Sequence, residues 1–166
     1  MSQSEVDTYC MATAIQEAVQ GADEGGVPIG AALFLNTHLG SPDQTKLLGA
    51  GRNQRIQKGS PTLHGETAAL EAAGRLPANV YRKCTMVRTK ISPPCSMCSG
   101  AILLYGIPRV VIGENKNFVG EEELLRARGV EVVVLGDKKC EELMSTFINE
   151  HPEEWNEDIG ETGEKL

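Results

Sequence analysis

The sequence predicts a single α/β domain, 1–166, in which helices cover both faces of a mixed or largely parallel sheet. Three observations lead to this fold class. The chain has 166 residues, about one domain's worth, and 40% are hydrophobic and 23% charged, as is usual for globular proteins. Helix-like and strand-like segments alternate from residue 64 onward, and crossover helices are what join parallel strands. No internal repeat or linker divides the chain.

The first third of the chain predicts a helix followed by a hairpin. A capping pattern at Ser4–Asp7 precedes apolar residues at helical spacing, and Gly21 ends the helix. The short apolar run Ile29–Leu35 predicts a strand, because turn-forming residues bound it on both sides. Its predicted hairpin partner is Leu47–Gly51.

The remainder predicts four helices that alternate with three strands. His64–Ala73 is rich in alanine and glutamate, and Gly74 follows where a glycine cap belongs. The predicted elements, in chain order, are helix His64–Ala73, strand Thr85–Val87, helix Cys95–Tyr105, strand Arg109–Gly113, helix Glu121–Arg128, strand Val130–Leu135 and helix Lys138–Glu150. The acidic segment Pro152–Leu166 carries the only tryptophan, Trp155, which a solvated tail would have little reason to contain.

Charge and composition exclude several classes of protein. The formal net charge of −7 disfavours binding to polyanions, so we expect a small neutral substrate and no nucleic acid partner. No apolar run approaches the roughly 20 residues of a membrane span, and the first ten residues lack the order of a signal peptide. We therefore expect no membrane partner and a cytoplasmic protein, with the nucleus as a second possible compartment. Five cysteines, an odd number, then indicate reduced thiols.

Cys95 and Cys98 form the C-x-x-C motif of the chain. Pro94 precedes them at a predicted helix start, where exposed peptide N–H groups favour the thiolate form that binds metal. Such a pair alone is ambiguous among a redox dithiol, half of a four-cysteine zinc site and part of a mixed site. The other cysteines, Cys10, Cys84 and Cys140, are predicted to be buried structural residues.

His64 supplies a third candidate ligand. It opens a predicted helix 31 residues before Cys95, and in an alternating topology both helix starts reach the same edge of the sheet. Three ligands without a fourth are typical of catalytic zinc, and two thiolates with one imidazole suit Zn²⁺. We therefore expect one Zn²⁺ per subunit. His38 and His151 are predicted to be surface residues.

Glu66 gives the motif its catalytic interpretation. An acidic residue in the first turn of a helix is common without any function. However, H-x-E followed by P-C-x-x-C is the signature of zinc nucleobase deaminases, in which the glutamate is the general acid and base. Both motifs occur here in that order.

On these motifs and on longer collinear segments, the chain resembles the fungal cytosine deaminases of the cytidine/deoxycytidylate deaminase superfamily. The resemblance runs from about residue 17 to about residue 161. The segments that carry it, besides the metal motifs, are Glu24–Gly30, Gln57–Ser60, Tyr105–Arg109, Gly113–Asn115 and Trp155–Gly160. It implies a three-layer α-β-α sandwich with a central mixed five-stranded sheet, a homodimer, and hydrolysis of free cytosine to uracil and ammonia in pyrimidine salvage.

The resemblance also implies a set of site residues. His64, Cys95 and Cys98 match the zinc ligands, and Glu66 matches the proton shuttle that serves a zinc hydroxide attacking C4. Asn53 matches the amide that binds the base, with Gly65 beside it in the backbone. The remaining matches are Asp158 near the substrate amino group and Ile29, Phe118 and Trp155 as apolar pocket walls. Residues 152–160 are expected to form a lid over the site, and 161–166 an acidic tail.

One segment departs from the family pattern, and other functions share the motifs. Val87–Pro94 is about two residues longer than the family's equivalent and carries a doubled proline and two basic residues, so no site role is assigned within it. Deaminases of tRNA adenosine, guanine, nucleosides or deoxycytidylate use the same zinc chemistry. A zinc module without catalysis and a redox dithiol protein are the alternatives from other classes.

Overall fold

The computed structural model describes residues 2–39, 42–90, 95–116 and 121–161. The strands of this part are β1 (Gly30–Leu35), β2 (Lys46–Arg52), β3 (Cys84–Arg88), β4 (Arg109–Ile112) and β5 (Glu131–Val134). The helices are α1 (Gln3–Asp23), α2 (Arg55–Lys58), α3 (Gly65–Ala73), α4 (Ala78–Tyr81), α5 (Ser96–Tyr105), α6 (Glu122–Ala127), α7 (Lys138–Glu150) and α8 (Pro152–Asp158). None of these described helices is long and apolar enough to cross a lipid bilayer.

The five strands form one mixed sheet in the order β2-β1-β3-β4-β5. β1 pairs antiparallel with both β2 and β3, whereas β3, β4 and β5 run parallel. The parallel part follows from the helices α5 and α6, which connect these strands as crossovers. The predicted α/β class and the central mixed five-stranded sheet are confirmed.

Helices cover both faces of the sheet, because strand residues of both parities are apolar. In β1, Leu33 packs in the cluster that contains Ile102 of α5 and Leu125 of α6. Its neighbour Phe34 points to the opposite face and packs with Met11 of α1. Side chains of a strand alternate between the two faces of the sheet, so a strand that is apolar at every position must be buried on both faces. This packing produces the predicted three layers.

The start of α1 differs from the prediction. The N-cap is Ser2, whose hydroxyl accepts a hydrogen bond from the Glu5 amide while the Glu5 carboxylate accepts one from the Ser2 amide, a capping box. The predicted cap at Ser4 is therefore wrong by two residues. Asp7, the acid of the predicted pattern, is 3% exposed and receives two hydrogen bonds, of 2.6 and 2.8 Å, from Arg109 of β4.

Helix α3 packs closely on β2. A Cβ atom added to Gly51 of β2 would lie 2.7 Å from the carbonyl carbon of Ala68, which is closer than real side chains approach. Gly74, with φ of 74°, caps the other end of α3 as predicted. The first turn of α3, which carries the candidate catalytic residues, is thereby held against the sheet.

Candidate active site

The site lies at the edge of the sheet where β1 begins and β2 and β3 end. His64 is the N-cap of α3, and Cys95 is the N-cap of α5 with Cys98 in the first turn of that helix. The first peptide N–H groups of a helix have no partner within it and carry partial positive charge. Two helix starts that converge on one point therefore create a place where thiolates are favoured.

The three candidate ligands form one compact cluster. Nδ1 of His64 lies 3.3 Å from Sγ of Cys95 and 3.7 Å from Sγ of Cys98, and all three donor atoms lie within 4.8 Å of one another. One imidazole nitrogen and two sulfurs at this spacing fit a tetrahedral Zn²⁺ ion, which prefers such soft donors. Within the part of the chain that the structure describes, no fourth His, Cys, Asp or Glu donor joins the cluster. A fourth position would thus remain for water or substrate.

The electrostatics of the cluster favour a metal-binding thiolate. Contact with the Cys98 thiol, together with His64, lowers the pKa of Cys95 to about 3 despite burial. The same contact and burial raise the pKa of Cys98. Burial works against a charged His64, but the contact with Cys95 and the charge of Asp158 outweigh it and raise the His64 pKa. Metal binding would release these protons.

Glu66 lies beside the cluster in the first turn of α3 and is 1% exposed. Its Oε1 lies 2.9 Å from Nε of Arg88, the last residue of β3, and both side chains are buried. The alignment is that of an ion pair and not of a hydrogen bond, and Oε1 and Nε both lack a hydrogen-bond partner among the described residues. The ion pair explains how a carboxylate can be accommodated in this interior.

Asp158 of α8 reaches the same site from the C-terminal segment. Its Oδ1 accepts a 2.7 Å hydrogen bond from Nδ2 of Asn53 and lies 3.7 Å from Nε2 of His64. Asn53 follows β2, and its backbone N–H donates to the carbonyl of Ile29 at 2.8 Å. A carboxylate near the second imidazole nitrogen orients a ligating histidine, as in many zinc sites.

Helix α8 brings one aromatic and one acidic side chain close to the site. Trp155 is 9% exposed and packs with a small apolar cluster. The other buried members of this cluster are Val27, Ile29, Met144 and Phe147. Nζ of Lys90 lies 4.1 Å from the centre of the Trp155 ring, within the range of a cation–π contact. Burial, and then the charge of Arg88, lower the pKa of Lys90 to about 8.

A salt bridge at the surface fastens α8 to α2. Nη1 and Nη2 of Arg55 donate hydrogen bonds of 2.5 and 2.6 Å to the two carboxylate oxygens of Glu157. The bond from Arg55 lowers the pKa of Glu157, and Nη1 also lies 3.4 Å from Oδ1 of Asp158. This forked contact connects α8 to the segment that follows Asn53.

Comparison with known proteins decides the family. The family model described as the cytidine and deoxycytidylate deaminase zinc-binding region matches residues 4–114, which include all three candidate ligands and Glu66. The chain belongs to the cytidine and deoxycytidylate deaminase family. As a member of this zinc-binding family, the deaminase has the donor set expected for one metal ion at His64, Cys95 and Cys98.

The relatives of this deaminase act on different substrates. The cytosine deaminase of Candida albicans is 54% identical over 155 residues, which cover 93% of this chain and 97% of that protein. A tRNA-specific adenosine deaminase of Buchnera aphidicola is 37% identical over 107 residues, 64% of this chain and 65% of that protein. The solved structure of a guanine deaminase from Nitrosomonas europaea shares the fold, with a TM-score of 0.58 at 22% identity over 88% of this chain and 84% of that chain.

The structure brings most of the predicted site residues of the deaminase together. Those that meet at the sheet edge are Ile29, Asn53, His64, Gly65, Glu66, Cys95, Cys98, Trp155 and Asp158. Phe118 and Pro94 lie outside the described residues. Arg88 and Lys90 were given no role from the sequence, and both also lie near the site, where no local sequence pattern predicts them.

Proposed function

We propose that this deaminase hydrolyses free cytosine to uracil and ammonia. The observation that carries the proposal is the convergence of Glu66, Asp158 and the three-donor cluster in one buried site. The 54% identity to the cytosine deaminase of Candida albicans, over nearly the full length of both chains, supports the same substrate. We extend the proposal to a single domain with residues 152–160 as its lid.

The proposed chemistry assigns one task to each side chain. Zinc, when bound, supplies the Lewis acidity that makes water nucleophilic near neutral pH. Glu66 accepts the proton of the attacking water as the new C–O bond forms at C4, and delivers this proton to ring nitrogen N3. Glu66 then takes the remaining proton from the new C4 hydroxyl group and transfers it to the amino group, so that the C4 carbonyl forms as the C4–N bond breaks and ammonia leaves. Asp158 accepts a hydrogen bond from the amino group and keeps C4 in place.

A free base suits the site better than a nucleic acid. Trp155 and Asp158 of α8 are buried, and Oδ1 of Asp158 lies 3.7 Å from Nε2 of His64, so α8 would hinder the approach of a polynucleotide to the donors. The net charge of −7 also opposes binding to tRNA, the substrate class of the Buchnera relative. We therefore propose a small-molecule substrate and no nucleic acid partner, and keep the cytoplasm, with the nucleus as a second compartment, as the predicted location.

The exposed face of α5 supports a homodimer. Leu104 is 76% exposed and Tyr105 is 41% exposed, and Tyr105 stacks on Tyr81 with ring centres 4.7 Å apart. Large apolar side chains exposed together usually mark an interaction surface. We propose that this face, defined by Leu104 and Tyr105, meets its counterpart in a second copy.

The experiment that tests the function is an ammonia-release assay on zinc-loaded protein. The substrates are cytosine, cytidine, deoxycytidylate, adenine and guanine, and the variants are Glu66→Gln and, as a matched control, Glu71→Gln on the exposed side of the same helix. We expect turnover of cytosine, loss of nearly all of it in Glu66→Gln with zinc retained, and normal activity in Glu71→Gln. A preference for adenine or guanine, or activity in Glu66→Gln, would contradict the proposal.

A further inference from the structure

Two buried cationic residues at the end of β3 face the site. Arg88 is 2% exposed and Lys90 is 5% exposed. Side chains alternate along a strand, so Arg88 lies on the same face as Met86, which packs with Ile102 of α5. From this face the guanidinium of Arg88 reaches the carboxylate of Glu66. The interior thus contains a charged donor directly beside the proposed proton carrier.

Four buried polar atoms around this contact have no hydrogen-bond partner among the described residues. They are Nε and Nη1 of Arg88, Oε1 of Glu66 and Oδ2 of Asp158. Buried polar groups are nearly always hydrogen-bonded. A set of unpaired donors and acceptors at one site therefore indicates which polar groups a bound ligand must offer. Arginine only donates, whereas ionised carboxylates only accept. The ligand must therefore offer an acceptor to Arg88 and a donor to Asp158.

One edge of cytosine offers these groups in sequence: a carbonyl at C2, the ring nitrogen N3 and an amino group at C4. If Glu66 meets N3 and Asp158 meets the amino group, the carbonyl oxygen lies on the other side of N3, next to Glu66. Nδ2 of Asn53 already donates to Asp158 at 2.7 Å, whereas Nη1 of Arg88 is open. A guanidinium that contacts Glu66 is the donor in the right place.

We propose that Arg88 binds the substrate and determines its specificity. Nη1 donates a hydrogen bond to the carbonyl oxygen at C2, while Nε holds the carboxylate of Glu66 in line with N3. The inference rests on the proposed function, and it adds a residue from the segment that departs from the family pattern. It predicts a preference for ring substrates that carry a carbonyl beside the acceptor nitrogen, because a buried donor left unpaired costs binding energy.

The test combines one side-chain change with one missing substrate group. The zinc-loaded parent chain, Arg88→Met and Lys90→Met are assayed with cytosine and with 4-aminopyrimidine, which lacks the carbonyl. We expect Arg88→Met to reduce kcat/KM at least about tenfold more for cytosine than for 4-aminopyrimidine, the size expected for a hydrogen bond to a charged group. Lys90→Met, which removes a cation two residues away, should reduce both by the same factor.

Two features keep the test decisive. The ratio between two substrates within one variant does not depend on how much of the preparation is folded, and Arg88→Lys serves as a second variant with the charge retained. Calorimetry with pyrimidin-2-one and pyrimidine measures the same contact without turnover, and Arg88→Met should weaken binding of pyrimidin-2-one at least about tenfold more.

The outcomes separate the two proposals. Equal losses for both substrates and for both calorimetric ligands would overturn the role of Arg88, and cytosine turnover by the parent chain would still support the proposed function. If the parent chain does not deaminate cytosine, but binds pyrimidin-2-one better than pyrimidine only when Arg88 is present, the proposed function fails and the carbonyl contact stands. Binding of neither ligand by the parent chain would overturn the role of Arg88.

Discussion

Asp158 accepts a 2.7 Å hydrogen bond from the side chain of Asn53, although 105 residues separate the two in sequence. The bond joins helix α8 to Asn53, the residue that follows β2, and so holds the C-terminal segment against the site. Asp158 also lies 3.7 Å from His64. The carboxylate of Asp158 therefore lies between helix α8, the side chain of Asn53 and the imidazole of His64.

The assigned metal site predicts which buried cysteine is needed for zinc binding. Cys98→Ala should lose zinc, because the two remaining donors cannot complete the site, and metal affinity contributes directly to folding stability. The measurement is Tm with and without EDTA: chelator should lower the Tm of the parent chain and leave that of Cys98→Ala unchanged. Cys84→Ala is the matched control, since Cys84, the first residue of β3, is equally buried but packs in the hydrophobic core and is not one of the three donors. If Cys98→Ala keeps stoichiometric zinc, the ligand assignment is wrong.

Lys90 makes stability depend on pH in alkaline solution. Burial lowers its pKa from 10.5 to about 8, so below pH 8 the folded chain must accommodate a charged lysine that water would solvate better. Between pH 8 and 10.5 the unfolded chain binds the extra proton, and stability rises with pH by up to about 3 kcal/mol from this group. In urea unfolding, the free energy of unfolding of the parent chain should rise relative to that of Lys90→Met from pH 8 to pH 10. An unchanged difference between them would contradict this. Lys58→Met on the surface should show no such trend.

The buried pair of Asp7 and Arg109 stabilises the contact between α1 and the sheet. Both side chains are under 5% exposed and are joined by two hydrogen bonds. Asp7→Leu should cost about 3–5 kcal/mol of unfolding free energy, because it leaves a buried guanidinium without its main partner. Replacing both residues, Asp7→Leu with Arg109→Met, should recover much of that loss in urea titrations. A double variant less stable than Asp7→Leu alone would show that the charge is not what matters.

The pair of Asp7 and Arg109 also shows why the bounds of some helices could be predicted from the sequence and those of others could not. The bounds of α7, Lys138–Glu150, agree with the prediction because its cap and its apolar spacing are local features. At the first helix, Ser2 and Ser4 are each followed by an acidic residue three positions later, so local rules do not separate them. The choice is made by Arg109, which lies far away in sequence and takes Asp7 into the core.

The residues of the candidate site likewise fall into those that local sequence patterns predict and those that they do not. His64, Cys95 and Cys98 are identifiable because their spacing is written in the sequence, and helix starts place them. The role of Arg88 depends on strand pairing: it lies opposite Ala31 of β1 and beside Ile112 of β4. A shift of one residue would point it to the other face. Such pairing is set by contacts across the whole sheet, and no local pattern at Arg88 specifies it.

A single substitution that introduces a charge tests the proposed dimer face. Leu104→Glu places a carboxylate on the exposed face of α5, where burial in an interface would leave it unpaired. We expect a dimer for the parent chain and a monomer for the variant by light scattering at micromolar concentration. Leu124→Glu, at an exposed leucine of α6, should remain dimeric. If the parent chain is monomeric, the dimer proposal is wrong.

The lid prediction concerns the carboxylate of Asp158. Asp158→Asn preserves the size of the side chain and the packing of Trp155, so it separates the hydrogen bond to the substrate amino group from the stability of α8. Hydrogen bonds that involve a charged group contribute about 1.5–3 kcal/mol, so kcat/KM for cytosine should fall roughly 10- to 100-fold. Zinc content and Tm should stay close to those of the parent chain.

Two further variants locate the effect. Arg55→Gln removes the forked contact with Glu157, so the lid should open more readily, and KM should rise more than kcat falls. Glu153→Gln, at an exposed position in the first turn of α8, should behave like the parent chain. Deleting residues 162–166 should have little effect, since the lid proper ends before them. If Asp158→Asn turns over cytosine as fast as the parent chain, α8 is a structural cover and Asp158 does not bind the amino group.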